Sequence, residues 1–275
     1  MLAIDAHQHF WKYSPVKDAW ITDDMKVIQR DFLPQDLAPI LATHGIEGCV
    51  AVQADQSEAE TEFLLSLAEE HAFIKGVVGW VDLRADNLSE RLAYFSKFKK
   101  LKGFRHIIQG EPSGFMLDRK FILGVQKLAE YNFTYDLLLY HHQLPEALQF
   151  IHQLPQANIV VDHLAKPSIR TQEKNEWALN IAALAAFKNV HCKISGMVTE
   201  ADWKNWKQND FTPYLDVLFE SFGSARLMYG SDWPVCLLAA SYEAQLSIAQ
   251  TYLSTFSSHE KHLVMGENAR KFYNL

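Results

Sequence analysis

Residues 1–11 read MLAIDAHQHFW, a short apolar segment that ends in a His-x-His pair. Side chains of a β-strand alternate between its two faces, so a strand here would direct His7 and His9 to one side and Gln8 to the other. Neutral imidazole is a common ligand of zinc and related ions. The pattern therefore indicates half of a metal site, with purely structural hydrogen bonding by the two histidines as the alternative.

Two later apolar segments also end in residues that can bind a metal or move a proton. Residues 226–234 read RLMYGSDWP and place Asp232 after a strand, whereas residues 158–167 read NIVVDHLAKP and place His163 there. A buried carboxylate needs a partner, although an Asp in a turn or helix cap is a common alternative. Three strands with such endings favour one shared site formed by His7, His9, His163 and Asp232.

Composition excludes several classes of protein. The 275 residues are 48% hydrophobic and 21% charged, with a formal net charge of −7 and no basic run, which argues against nucleic-acid binding. Apolar runs are too short for a membrane span, and residues 1–11 enter a strand without the pattern of a secretory signal, so a cytoplasmic protein is expected. Three widely spaced cysteines indicate neither a disulfide framework nor a thiolate zinc site.

The chain alternates strands and helices, which predicts an α/β fold with a parallel sheet. Eight apolar strands are expected near residues 2–8, 48–54, 75–83, 101–108, 133–139, 158–163, 190–196 and 227–232. Eight such units in a chain of this length favour a single (β/α)8 TIM barrel over residues 1–275. A doubly wound open sheet is the alternative, but no Gly-x-Gly-x-x-Gly follows the first strand.

Several further residues near strand ends are candidates for substrate binding. Arg105 and His106 are adjacent in the fourth strand, so only one of them can point into the barrel mouth. A structural salt bridge is the alternative for Arg105. The remaining candidates, each of which could instead have a packing or solvated role, are Gln53, Trp80, Lys166 and Trp233.

The motifs together resemble the amidohydrolase superfamily. They are IDAHQHFW (4–11), GFRH (103–106), DHLAKP (162–167), CKISG (192–196) and GSDWP (230–234), in that order along the chain. They are most similar to the lactonase branch, which includes L-fuconolactonases, L-rhamnonolactonases and 2-pyrone-4,6-dicarboxylate lactonases. The ending ENARKFY (267–273) is also similar to that branch.

The resemblance implies a metallo-dependent hydrolase type of barrel with its site at the carboxyl ends of the strands. His7 and His9 would then be the first-strand metal ligands, His163 a catalytic histidine, and Asp232 the general base, which also touches the metal. The fifth strand offers Asp136 in place of a histidine, which argues against two metals. One divalent ion, with zinc as the expected species, or metal-free catalysis is therefore expected.

The resemblance also implies the reaction, which is hydrolysis of a sugar-acid (aldono) lactone as small-molecule partner. A dicarboxylate lactone is an alternative substrate, but Arg105 is the only arginine expected near the outer end of a strand. The sequence is also compatible with a metal-dependent decarboxylase of the same superfamily and with a non-catalytic sugar-binding barrel. It leaves a homo-oligomer open.

Overall fold

The computed structural model describes residues 3–275, and its centre is one eight-stranded parallel sheet in the order β1 to β8. Each strand pairs with the next one along the chain, which confirms the predicted barrel and excludes the doubly wound alternative. The strands are β1 (Ala3–Gln8), β2 (Ile46–Val52), β3 (Ile74–Gly79), β4 (Leu101–Ile107), β5 (Thr134–Leu138), β6 (Ile159–Val161), β7 (Val190–Ile194) and β8 (Leu227–Tyr229).

Helices separate successive strands and return the chain to the starting end of the barrel. Those before β8 are α1 (Pro34–Thr43), α2 (Glu58–Glu70), α3 (Leu88–Phe95), α4 (Arg119–Glu130), α5 (Leu144–His152), α6 (Asn175–Ala185) and α7 (Gln208–Phe222). After β8 come α8 (Tyr242–Tyr252), α9 (Ser258–His262) and α10 (Asn268–Tyr273). Within residues 3–275, no helix combines the length and the apolarity that crossing a bilayer requires.

Three helices begin at residues whose type favours a helix start, which are Pro34, Ser57 and Asp118. Pro34 occupies the first turn of α1, where a missing N–H is harmless. The Ser57 side chain accepts a hydrogen bond from the N–H of Glu60 at the start of α2, and Asp118 caps α4 in the same way. These caps fix where each helix begins and therefore how long the preceding loop is.

Strands β8 and β1 meet through backbone hydrogen bonds that lie beyond the end of β8. The N–H of Asp232 donates to the carbonyl of His7 at 2.8 Å, and the N–H of His9 donates to the carbonyl of Trp233 at 2.7 Å. We call these contacts the closure seam. The seam brings the first and the last predicted site residues of the chain side by side.

The barrel interior contains a small apolar cluster below the site. Its members are alternate strand residues together with two residues of α10: Ile4, Ala6, Val50, Val52, Val78, Val160, Met228, Ala269 and Tyr273. The Asn268 side chain donates to the carbonyl of Leu227, the first residue of β8. Helix α10 therefore packs against the strand beginnings, at the end of the barrel opposite the histidines.

Several strands end a few residues earlier than predicted, and two of these differences affect the site. Strand β6 ends at Val161 and β8 at Tyr229, so His163 and Asp232 lie in the loops that follow. Both residues have positive φ angles, 52° and 58°, which no strand can contain. The loops allow the two side chains to turn inward at positions that strand alternation does not fix.

Candidate active site

His7 and His9 face each other at the end of β1, with 3.2 Å between their Nε2 atoms. Gln8 points away, and its amide donates to the Cys49 sulfur at 3.3 Å, so the predicted orientation of this segment is confirmed. Nδ1 of His9 lies 2.7 Å from the carbonyl oxygen of Val52. Because a carbonyl only accepts, Nδ1 is the donor in this contact, and Nε2 is the ring atom that faces the site.

The Asp232 carboxylate lies among three imidazoles. Its Oδ1 is 3.4 Å from Nε2 of His9, 3.8 Å from Nε2 of His163 and 3.9 Å from Nε2 of His7. Burial raises the pKa of this carboxyl, but the neighbouring His163, His9 and Lys166 outweigh burial and hold it below its usual value. Asp232 is therefore ionised at neutral pH and can accept a proton.

His163 opens an unusual turn directly after β6. The consecutive residues 163–166 have φ angles of 52°, 56°, 58° and 48°, and the N–H of Lys166 donates to the carbonyl of His163 at 2.7 Å. We call these residues the left-handed turn. It directs the His163 ring toward Asp232, while Nδ1 lies 2.9 Å from Oγ of Ser195. Burial lowers the pKa of His163 well below its usual value, which keeps the imidazole neutral.

A fully buried group of charges supports His7 from below. Nζ of Lys193 lies 2.5 Å from Oδ2 of Asp136 and 3.0 Å from Oδ1 of Asp162, and Nη1 of Arg105 lies 3.1 Å from Oδ2 of Asp162. Nδ1 of His7 is within 3.3 Å of Asp162 and 3.1 Å of Lys193. We call Arg105, Asp136, Asp162 and Lys193 the ionic cluster. Each charge has an opposite partner, as burial requires.

Burial and neighbouring charges set the protonation states around the ionic cluster. Burial lowers the pKa of His7 well below its usual value, and the charge on Lys193 adds to this effect against the opposing influence of Asp162. Burial raises the pKa of Asp136 to about 6. Burial also acts upward on Asp162, but Lys193, His7 and Arg105 together hold its pKa well below the usual range. His7 is therefore a neutral imidazole next to an ionised carboxylate.

A cavity of about 440 Å³ opens above these groups at the carboxyl ends of the strands. This volume lies within the range of small-molecule sites. The polar lining residues are His9, Arg105, Gln109, His163, Lys166, Thr199, Glu200 and Asp232, and aromatic walls come from Trp11, Trp20, Tyr140 and Trp203. His9, His163 and Asp232 thus line a pocket that a small polar ring can enter.

Two of the six predicted substrate-binding residues line this cavity. Arg105 points inward from β4, and Lys166 extends from the left-handed turn to form a 2.6 Å ion pair with Glu200. His106 faces the opposite side of β4, where Nε2 pairs with Glu111 at 2.8 Å and the ring stacks on Phe115. Because Arg105 and His106 point to opposite faces of β4, Arg105 lines the pocket and His106 does not.

The structure also corrects the expected positions of Gln53, Trp80 and Trp233. The Gln53 amide donates to the carbonyl of Arg105 beneath the cavity. The Trp80 indole donates to Nδ1 of His106, outside the cavity. The Trp233 ring is buried against Phe32, with ring centroids 5.2 Å apart, because Pro234 and the closure seam turn it outward from the site. All three pack around the site and do not line it.

Sequence reasoning missed Asp162, Lys193, Ser195 and Glu200 as members of the site. Lys193 provides a usable signal, since a lysine between Cys192 and Ile194 in a buried strand needs an anionic partner. Asp162 immediately precedes His163 in the sixth-strand motif and could have been paired with that lysine. Nothing in the local sequence indicates that Glu200 reaches the cavity, because a loop positions it.

The donor atoms at the cavity floor fit one divalent metal ion. Ligand atoms of His7, His9 and Asp232 all lie within 4.8 Å of one another, and the same holds for His7, Asp162 and His163. His7 is neutral and Asp232 is ionised, which are the states that metal binding requires of them, and Nε2 of His9 faces the same space. Imidazole nitrogens with a carboxylate oxygen are a donor set typical of zinc.

Comparison with known proteins gives consistent matches over nearly the entire chain. A family model described as amidohydrolase matches residues 4–275. An L-fucono-1,5-lactonase from Burkholderia multivorans is 40% identical, and the match covers 100% of this chain and 96% of the relative. An L-fucono-1,5-lactonase from Burkholderia ambifaria is 34% identical, and the match covers 99% of this chain and 95% of the relative. A crystal structure of an amidohydrolase from Burkholderia multivorans with bound zinc superposes with a TM-score of 0.97 at 40% identity, covering both chains completely.

Proposed function

The chain belongs to the amidohydrolase family and is a lactone-hydrolysing enzyme, and we propose that its substrate is a sugar-acid lactone of the L-fucono-1,5-lactone type. The observation that carries this proposal is an ionised carboxylate, Asp232, held among three imidazoles at the floor of a cavity sized for a sugar ring. The names of the two Burkholderia relatives support the choice of lactone. The entire chain would act as one catalytic domain.

Asp232 is the proposed general base. Its carboxylate would take a proton from a water molecule as that water attacks the lactone carbonyl carbon. Its depressed pKa keeps it ionised, and the hydrogen bond from its N–H to the carbonyl of His7 fixes its backbone beside the histidines. After the ring C–O bond breaks, the protonated Asp232 would return the proton to the leaving alkoxide, which stays attached to the product.

His163 is the proposed donor to the oxyanion that forms when water adds to the carbonyl. If the Ser195 hydroxyl donates to Nδ1 of His163, the proton of this neutral ring resides on Nε2, which faces the cavity. A donor aimed at developing charge in a water-poor site lowers the barrier to attack. Arg105 lines the same cavity and adds a fixed positive charge nearby.

His7, His9 and Asp232 would hold one divalent metal ion, with zinc as the proposed species, and this ion when bound supplies Lewis-acid polarisation of the carbonyl. The zinc in the similar Burkholderia multivorans structure supports this assignment. The contacts of Nδ1 of His9 with the Val52 carbonyl and of Nδ1 of His7 with the Asp162 carboxylate would orient both rings.

A pH-indicator assay with a panel of aldonolactones tests the proposal, using the wild type and Asp232→Asn with and without a chelator. We expect hydrolysis of a sugar 1,5-lactone by the wild type and a loss of about 100-fold or more in kcat for the variant, because an amide cannot accept the proton. Metal analysis of the same samples shows whether activity follows zinc content.

Undiminished turnover by Asp232→Asn would show that another group is the base. Failure of the wild type to open any lactone would favour the decarboxylase or the non-catalytic sugar binder instead. Circular dichroism of the variant provides the control for folding.

A further inference from the structure

Two loops are joined across the cavity wall by an ion pair that the proposed chemistry does not use. Nζ of Lys166, in the loop after β6, lies 2.6 Å from Oε1 of Glu200, in the loop after β7. Both side chains line the cavity and are about one-fifth exposed, 17% and 21% respectively. The pair therefore faces the space above Asp232 and is accessible to a molecule bound there.

Hydrogen bonds to main-chain carbonyls tie down the two loop segments that carry the pair. Lys166 ends the left-handed turn that His163 opens, and its carbonyl accepts a hydrogen bond from Nδ1 of His141 at 2.9 Å. On the other loop, the carbonyl of Thr199 accepts from the indole of Trp203 at 2.9 Å. The pair is thus a preorganised part of the site, as recognition groups need to be.

The charges of the cavity favour an uncharged substrate. Among the described residues, Arg105 and Lys166 are the cations of the lining, and each already has a carboxylate partner, Asp162 at 3.1 Å and Glu200 at 2.6 Å. Asp232 adds a further negative charge. A carboxylate on the substrate would have to compete with these internal partners, whereas a neutral molecule would not.

An ammonium–carboxylate pair offers complementary hydrogen bonds to two adjacent hydroxyl groups. The ammonium has three donors and the carboxylate about four acceptor sites, so their mutual contact leaves both with spare capacity. One hydroxyl can accept from Lys166 while its neighbour donates to Glu200. Nε2 of Gln109, a residue that also lines this cavity, has no hydrogen-bond partner within residues 3–275 and could serve a third hydroxyl.

We infer that the Lys166–Glu200 pair recognises adjacent hydroxyl groups of a neutral sugar lactone and so determines substrate specificity. This inference rests on the proposed function, because it concerns the same cavity and the same cyclic ester. The hydroxyls would align the ring so that its carbonyl lies near Asp232 and His163. Recognition of this kind discriminates strongly against a substrate that lacks the hydroxyls, since the polar pair then loses water without gaining partners.

The test compares L-fucono-1,5-lactone with δ-valerolactone, which has the same six-membered cyclic ester and no hydroxyl group. The measured quantity is the ratio of kcat/KM for the sugar lactone to kcat/KM for δ-valerolactone. We expect Glu200→Gln and Lys166→Met each to lower this ratio by about 10- to 100-fold, the range for losing a hydrogen bond to a charged group. Lys271→Met, which breaks the 2.8 Å surface pair with Glu267, is the matched control and should leave the ratio unchanged.

Each outcome separates the inference from the proposed function. If the variants slow both lactones by the same factor, the pair is only a structural link between loops and the inference is overturned. A wild type that hydrolyses both lactones equally well overturns it too, while the proposed function stands. A wild type that hydrolyses neither lactone overturns both. Thermal melting of Glu200→Gln, which preserves shape, confirms that the ratio is measured on folded protein.

Discussion

At the scale of single residues, backbone strain is concentrated where the proposed chemistry occurs. His163 and Asp232 both have left-handed backbone angles, φ of 52° and 58°, which cost a non-glycine residue about 1 to 2 kcal/mol each. Hydrogen bonds from the N–H of Asp232 to His7 and from the N–H of Lys166 to His163 stabilise these conformations. Such strain, sustained by the surrounding structure, is typical of functional sites.

The Gly196→Ala variant tests how tightly the position of the His163 ring is constrained. A methyl group at Gly196 would lie 2.5 Å from Nδ1 of His163, so Gly196→Ala should displace the ring from Ser195 and Asp232. We expect kcat/KM for the lactone to fall about tenfold or more, as small misplacements of reacting groups do. Gly45→Ala is the matched control, since Gly45 has a similar φ of 65° with nothing within 4 Å of the added methyl.

Comparison with Gly45→Ala separates the effect of the steric clash with His163 from the effect of backbone strain. Both variants should lose a similar amount of free energy of unfolding from the unfavourable φ, about 1 kcal/mol. Equal activity of Gly196→Ala and Gly45→Ala would mean that the position of His163 is not critical.

The sequence identifies site residues well where they lie in strands and poorly where loops place them. His7 and His9 follow from strand alternation, and the structure brings them together with Asp232 and His163. The sequence does not decide between a packing and a pocket role for Trp233, because the direction of this side chain depends on the closure seam, a contact between distant parts of the chain. Glu200 could not be found for the same reason, since the loop after β7 has no periodic pattern.

At the scale of secondary structure elements, α10 contributes to the site from the opposite end of the barrel. The hydroxyl of Tyr273 lies 2.6 Å from Oδ2 of Asp136, which pairs with Lys193, which in turn lies 3.1 Å from Nδ1 of His7. A terminal helix that packs against the strand beginnings is therefore connected through the ionic cluster to the first-strand histidine.

Removing the Tyr273 hydroxyl should weaken the fold. In Tyr273→Phe, a buried carboxylate oxygen loses one of its two hydrogen-bond donors, and we expect the free energy of unfolding to fall by about 1 to 3 kcal/mol. Urea denaturation measures this change. Tyr131→Phe is the control, because the Tyr131 hydroxyl makes one exposed 3.2 Å contact with the carbonyl of Ser89 and its loss should cost less than about 0.5 kcal/mol. Equal losses in the two variants would show that the Asp136 contact is not stabilising.

Element type is predictable from this sequence, whereas element ends are not. Apolar runs and helix caps identified all eight strands and the starts of α1, α2 and α4. Strands β6 and β8 are only three residues long because the backbone turns left-handed soon after each of them. Non-glycine residues in such turns give no local signal, since tertiary contacts impose the conformation.

At the scale of the whole molecule, His191 should add to the loss of stability in mild acid that the buried, neutral His7 and His163 also cause, and it lies far from the cavity. Burial, with a smaller contribution from the charge of Arg226, lowers the pKa of His191 to about 4, and its ring packs on Phe272. An unfolded chain binds a proton on this histidine near pH 6.5, whereas the folded chain does so only near pH 4. The unfolded state is therefore favoured increasingly as the pH falls between these values.

The expected result is a loss of free energy of unfolding, up to about 3 kcal/mol from His191, as the pH falls from about 6.5 to about 4. His191→Gln should show a shallower decline, and replacement of the exposed His259 by Gln provides the control. Denaturation curves at a series of pH values measure both slopes. Parallel curves for wild type and His191→Gln would rule out this histidine as the cause.

The closure seam also determines when the site can form during protein synthesis. His7 and His9 leave the ribosome long before Asp232, because most of the sequence lies between them. The same backbone contacts that bring β8 to β1 also bring these groups together. A chain whose translation has not passed β8 therefore lacks the juxtaposition of His7, His9 and Asp232 on which the proposed chemistry depends.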